Sequence, residues 1–287
     1  MLKNQQKIFK LFTHTDLDGV GCALVAKTYV NEEDDYSLNI SYCENNTVDQ
    51  QVREFLKFWE PLDGNKVTCY ITDLSVNKET AELIDKSNLD VRLLDHHASA
   101  EWLNEYSWAT VSVNQETVPL PTSGTLMFYC ELYPVLTNPR LATFVHDVNN
   151  WDTWMWKSAG LRMPELYSTI LRVKGRELFM EEIFPKLIAS QLELPAGWNE
   201  LMEKEEANKR EYIAEMKNKA FEYEYEGDKY LALFASKYIS ELGNTLSEEH
   251  PQYAGVIMIT EGRRSRLILP ALPRITETAF LTSFTTT

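Results

Sequence analysis

The sequence predicts an α/β protein: a doubly wound, mainly parallel sheet, a helical connector and a smaller C-terminal α/β cap. Three observations carry that prediction. Through the first 155 residues short apolar runs alternate with stretches of helical period, as βα units do. Three of the runs end abruptly in acid or imidazole side chains, where the ligand crevice of a parallel sheet opens beyond the carboxyl ends of its strands. With 44% hydrophobic residues and 11 Gly and 11 Pro in 287, the composition is that of a compact globular chain.

The elements follow in order. Residues 8–13 form a strand that stops at His14, and residues 20–30, rich in Ala, Leu and Val, form a helix. A second strand spans 38–43, and Val52, Phe55, Leu56 and Trp59 give 50–59 a helical spacing. A third strand, 66–71, ends at Asp73; a helix over 77–87 starts from Asn77 as N-cap, and a fourth strand, 91–94, ends at Asp95. After the break at Pro119 and Pro121, residues 124–132 and 141–154 read as two further helices. Residues 164–225 read as mostly helical and heavily charged, a solvated connector. A strand at 229–235, a helix at 238–249 and a hairpin through 255–269 complete the cap, and the tail 270–287 has no clear period. The implied domains are 1–155, a connector 156–225 and a cap 226–287, with the active site expected in the cleft between the first and the last.

The formal net charge of −15, from 43 acidic and 28 basic residues, repels long duplex nucleic acid. A small anionic ligand is still admissible, because bound cations reverse the field locally. Cys22, Cys43, Cys69 and Cys130 are far apart and form no C-x-x-C pair, which argues against a zinc knot; Cys22 and Cys69 read as buried, reduced thiols. The first ten residues carry Lys3, Lys7 and Lys10 without an apolar signal region, and no run approaches the ~18 apolar residues of a membrane span. The expectation is a cytoplasmic protein with no membrane partner; a homodimer is compatible with it.

Four stretches concentrate hard donors: His14-Thr15-Asp16-Leu17-Asp18-Gly19, Thr72-Asp73, Asp95-His96-His97 and Trp151-Asp152-Thr153-Trp154. Collected at one sheet edge, they are what a pair of divalent cations requires, and such a pair serves phosphoester hydrolysis. His14, Asp16 and Asp18 sit at alternate positions of an extended segment, with Gly19 letting the chain turn sharply. Asp73, the sole acid after the third strand, suits a bridge between two ions. His96 supplies a nitrogen of the kind Mn²⁺ or Co²⁺ accepts, and His97 is left to hydrogen-bond a substrate phosphate. Each stretch alone has a plainer reading, as a turn, a helix cap or a solvated histidine; joined in order at strand ends, they point one way.

Together these stretches resemble the four motifs of the DHH phosphoesterase superfamily, over about residues 8–155 and more loosely over 229–269. The wording around His14 and the aromatic-rich fourth stretch are most similar to the oligoribonuclease (nanoRNase) branch. The resemblance implies His14, Asp16, Asp18, Asp73, His96 and Asp152 as metal ligands, Asp73 as the bridge and His97 on phosphate. Asp147 competes with Asp152 for the fourth motif; Asp152 has the family's Asp-Thr wording, and Asp147 reads as an orienting or solvated helix residue. Asp95 reads as holding the loop that aims His96. The resemblance also implies a glycine-rich segment with a histidine near the C-terminus, but the last glycine is Gly262 and the last histidine His250. Arg263, Arg264, Arg266 and Arg274 then read either as phosphate contacts or as solvated hairpin charges. Trp151, Trp154 and Trp156 are candidates to stack a base, with packing expected for at least two of them.

The expected activity is Mn²⁺-dependent hydrolysis of short RNA oligonucleotides to nucleoside monophosphates. Two ions are expected per site, with Co²⁺ or Mg²⁺ as substitutes. The alternatives are action on pAp or cyclic (di)nucleotides, and a nucleotide-binding regulatory protein with little turnover.

Overall fold

The computed structural model describes residues 7–33, 35–58, 66–113, 122–133, 135–191, 193–259 and 265–268. Pro119, Pro121, Gly262, Arg263, Arg264, Arg274 and the tail 270–287 lie outside them, and of Arg266 only the backbone is described. The chain divides into two compact units, Met1–Met202 and Glu203–Thr287.

The first unit is a five-stranded, all-parallel sheet: β1 (Lys7–Thr13), β2 (Tyr36–Tyr42), β3 (Val67–Thr72), β4 (Asp90–Asp95) and β5 (Ala109–Val111), in the order β2-β1-β3-β4-β5. Helices α1 (Leu17–Glu32), α2 (Val48–Phe58) and α3 (Lys78–Asp85) make the crossovers, and a 3-10 helix (Ala98–Glu105) precedes β5. Both faces of the sheet are covered, which is why its strands read as near-continuous apolar runs. Side chains alternate between two cores. Phe9, Leu11, Tyr70 and Leu94 face α1; Phe12, Cys69, Ile71, Val91 and Leu93 face the side of α2 and α3.

On the α1 side a further layer follows: α4 (Gly124–Leu132), α5 (Pro139–Asp152), α6 (Met155–Ala159), α7 (Met163–Lys174), α8 (Arg176–Ile188) and the start of α9 (Trp198–Lys217). Leu166, Tyr167, Ile170, Phe179, Ile183 and Trp198 join Leu24, Phe128 and Phe144 in one core. Of residues 156–225, then, α7, α8 and the start of α9 pack into the first unit instead of forming a separate connector. The charges there occupy the outer face of helices whose apolar stripes are buried. The layer lets α1 be buried almost all round, from Leu17 to Ala26.

The second unit has a four-stranded sheet in the order β6-β7-β8-β9: β6 (Phe221–Tyr225), β7 (Asp228–Phe234), β8 (Val256–Ile259) and β9 (Ser265–Ile268), with α10 (Ile239–Glu249) linking β7 to its parallel neighbour β8. Leu231, Leu233, Leu242, Leu246, Val256 and Met258 form its core. β6 lies where the charged helical reading was expected to continue. Phe221, Tyr223 and Tyr225 alternate with Glu222 and Glu224, a period of two that pairs antiparallel with β7.

Candidate metal centre

The C-terminal ends of β1, β3 and β4 and the last turn of α5 converge on one cluster. His14 follows β1; its Nδ1 lies 3.0 Å from Asp16 Oδ2 and 3.9 Å from Asp73 Oδ2. His96 follows β4; its Nε2 lies 3.4 Å from Asp73 Oδ1, 3.5 Å from Asp152 Oδ2 and 3.7 Å from Asp18 Oδ2. Three donor sets result among the described residues: His14, Asp16 and Asp73; Asp18, His96 and Asp152; and Asp73, Asp95, His96 and His97, each with ligand atoms within 4.8 Å of one another. Asp73 stands between the first two, one carboxylate oxygen turned to the histidine of each.

The local sequence explains the placement. Asp16 caps α1, accepting from Gly19 N at 3.1 Å, so the helix begins at Leu17 and not at residue 20. Asp18 therefore does not sit in an extended segment with His14 and Asp16: it is in the first turn of α1, buried, and reaches the centre from the helix. Both its oxygens accept backbone N–H groups from the start of α4, Oδ2 from Gly124 at 2.7 Å and Oδ1 from Thr125 at 2.9 Å. An anion at a helix N-terminus is well placed there. Gly19 is required for close approach and not for a sharp turn, since a Cβ on it would meet His14 O at 2.2 Å. Asp73 has φ 55°, a left-handed backbone in which a non-glycine residue is strained and which recurs at functional sites.

Asp95 is fully buried and gathers its loop: Oδ1 accepts from His96 N at 2.8 Å and lies 2.7 Å from His97 Nδ1. That contact fixes the ring of His97, which is half exposed, and raises its pKa through the hydrogen bond to the carboxylate. On α5 the structure brings Asp152 to the centre and not Asp147. Five residues of helix turn a side chain by about 140°, and Asp147 lies half-buried in the field of Arg140 and Tyr167.

The electrostatics are those of acids confined together. Burial, then the charges of Asp18, Asp16, Asp152 and Asp95, push the Asp73 carboxyl well above its ordinary range. Burial and the charges of Asp18, Asp16 and Asp95 push Asp152 up to about 7 against the attraction of His97. Burial also lowers His96 against the attraction of Asp18, while the hydrogen bond to Asp16 raises His14. Asp73 Oδ2 is buried without a hydrogen-bond donor; only a proton shared between acids would join it to Asp16. Four carboxylates and two imidazoles with an orphaned buried oxygen fit a pair of divalent cations, whose charge would reverse these shifts.

Three features escaped the reading of the sequence. Glu44, just past β2, lies 3.5 Å from His14 Nε2 and accepts from Thr15 Oγ1 at 2.7 Å. Gly124 abuts the centre: a Cβ there would lie 2.7 Å from Asp73 Cβ and 3.0 Å from Asp18 Oδ2. Asn149 Oδ1 accepts from Ser123 N at 2.8 Å and so ties α5 to the start of α4. The signal for Glu44 was its place after a strand; Ser123-Gly124 reads as a helix start, and nothing in the sequence alone tells which carboxylate that helix receives.

No family model matches the chain. It is 25% identical over 264 residues to the oligoribonuclease NrnB of Bacillus subtilis, covering 90% of this chain and 65% of that protein. It is also 27% identical over 153 residues to a 3',5'-cyclic-nucleotide phosphodiesterase of Helicobacter pylori, covering 49% of this chain and 43% of that protein. The chain thus spans less than two thirds of the length of either relative. In fold it is similar to the exonuclease RecJ bound to manganese, with TM-score 0.55, 12% identity and coverage of 90% of this chain and 77% of that one. A crystal structure of an uncharacterized protein from Helicobacter pylori gives TM-score 0.51 at 18% identity, over 89% and 83% of the two chains. Among the described residues, no helix of the chain is long and apolar enough to cross a membrane.

Proposed function

We propose that the chain is a metal-dependent phosphodiesterase that cleaves short oligoribonucleotides to nucleoside monophosphates, with Mn²⁺ as the preferred ion. The observation that carries this reading is the divided carboxylate of Asp73, Oδ1 toward His96 and Oδ2 toward His14. His14, Asp16 and Asp73 would hold one ion; Asp18, His96, Asp152 and the other oxygen of Asp73 would hold the second. Such a pair, when bound, supplies a nucleophile at neutral pH and neutralises charge on the phosphoryl group. The residues around it do the rest. Asp95 orients His97, whose free edge faces solvent to donate to a phosphate oxygen. Asp18, held through both oxygens by backbone N–H groups of α4, leaves little reorganisation for the reaction.

A second reading, hydrolysis of a cyclic nucleotide, is favoured by the similarity of 153 residues to the cyclic-nucleotide phosphodiesterase. Purified protein with Mn²⁺, Mg²⁺ or Co²⁺, offered RNA di- to pentanucleotides, pAp and cyclic mono- and dinucleotides, separates them. The oligonucleotides are expected to turn over fastest, with Mn²⁺. A faster cyclic substrate would install the second reading, and no turnover of any would remove both.

A further inference from the structure

The aromatic-rich fourth stretch does more than deliver Asp152. Trp151 packs against the main core of the first unit, and Trp156 stacks on it at 5.2 Å and 26°. Trp154 also stacks on Trp151, at 6.4 Å and 22°, yet remains 55% exposed. Its backbone is left-handed, with φ 61°, where a bulky residue is strained. More than half of that indole is left in water, on a backbone that glycine would adopt without strain.

Its surroundings say what the ring is for. Trp154 lies two residues beyond Asp152, which is 3.5 Å from His96. In a chain of net charge −15, the ammonium of Lys157 stands 5.1 Å from the Trp154 ring centroid and 5.8 Å from that of Trp156. Lys157 reaches the ring on a flexible stem, so a flat ligand can displace its ammonium. Trp156 Nε1 is buried without a hydrogen-bond partner, one more donor in the same group. An aromatic face beside a cation is how single-stranded nucleic acid is held without reading its sequence.

Resting on the proposed activity, we infer that Trp154 is the platform on which a nucleobase of the substrate stacks, with Lys157 meeting the phosphate attached to that nucleotide. The platform sets the preference for a nucleotide over a bare phosphodiester, without choosing among bases.

The test measures binding of a non-hydrolysable methylenephosphonate dinucleotide containing 2-aminopurine, and of its abasic counterpart, to the full chain with Mn²⁺. Wild type is expected to prefer the base-bearing ligand and to quench 2-aminopurine emission. Trp154→Ala and Trp154→Gly should weaken its binding about 5- to 150-fold, the range of one base stacked on one aromatic ring, and leave the abasic ligand unaffected. Trp154→Phe should recover part of the loss. Trp154→Gly also relieves the left-handed backbone, so at least one ring-less variant keeps the fold. Lys157→Met should weaken both ligands and reduce the salt dependence of binding. Unchanged base preference in the ring-less variants overturns the inference, as does an equal loss for both ligands. So does a change of oligomeric state with the base preference intact, which would make the ring a contact between copies of the chain. Failure of wild type to hydrolyse any dinucleotide, with base preference still dependent on Trp154, would instead strike the proposed activity and spare the platform.

Discussion

Strand β1 brings charge into the interior twice, by opposite means. In its middle, Lys10 is buried on the side of α2, and its Nζ donates to Asn39 Oδ1 at 2.7 Å and Ser41 Oγ at 2.6 Å while lying 4.3 Å from the Phe12 ring. Burial lowers its pKa, but the neighbouring strand meets its donors. Just past its end, His14 enters a cluster in which four carboxylates face two imidazoles, and the buried Oδ2 atoms of Asp73 and of the adjoining Asp95 have no donor. The contrast separates two kinds of buried polarity. A charge whose partners come from the chain is part of the architecture; one whose partners are missing from the chain is a request for something bound.

Four substitutions test that division, from the largest expected effect to the smallest. Asp73→Asn should abolish turnover and remove the second ion. The loss should exceed the roughly 10- to 100-fold that follows removal of a residue that only orients a ligand. In chelator the same variant should melt above wild type at neutral pH, because it relieves a carboxylate repelled by four others. Isothermal titration with Mn²⁺ and thermal unfolding read both, and retention of two ions would break the assignment of a bridge. Gly124→Ala puts a Cβ against Asp73 and Asp18; Mn²⁺ affinity should fall by about 10- to 100-fold with the fold retained by circular dichroism.

Lys10→Met strands Asn39 and Ser41 and should cost about 1–3 kcal/mol in denaturant unfolding. It should leave Mn²⁺ affinity as it was; a weakened metal site would show that the two ends of β1 are not separate. Asp147→Asn has the smallest effect and a definite sign. Burial raises Asp147 to about 6 from an ordinary value of 3.8, so the folded state holds that proton longer than the unfolded chain. Its contribution to stability is fully present below pH 3.8 and is lost as pH rises through about 6. The variant should therefore gain in melting temperature over wild type as pH goes from 4 to 8, and a gain that shrinks over that range would refute the burial of the Asp147 carboxyl and show that Arg140 outweighs it.

What the sequence told, and what it withheld, follows from range. Local chemistry was legible: Asn77 caps α3, accepting from Thr80 N at 2.9 Å, and α4 runs from Gly124 to Leu132 as its apolar period indicates. Three of the four motif stretches could be placed at strand ends because a parallel sheet puts its crevice there; the fourth was read on the helix that delivers it. β5 was missed because three residues, Ala109–Val111, carry no period. The start of α1 was misplaced because Asp16 and Asp18 were both read as donors of an extended segment, when one caps the helix and the other rides on it. The docking of Asp18 onto the N–H groups of Gly124 and Thr125 spans more than a hundred residues, and no local pattern announces such a pairing.

The sequence distance across the centre has a consequence for biosynthesis. His14 and Asp152 belong to the first and last segments that build it, with Asp18 waiting on a helix that begins at Gly124. A growing chain on the ribosome cannot offer the complete donor set until α5 has emerged, and domains fold largely as units. Ions captured earlier would find His14, Asp16 and Asp73 in the chain but not the set that Asp152 completes. Loading of the pair is thus confined to a chain from which α5 has emerged.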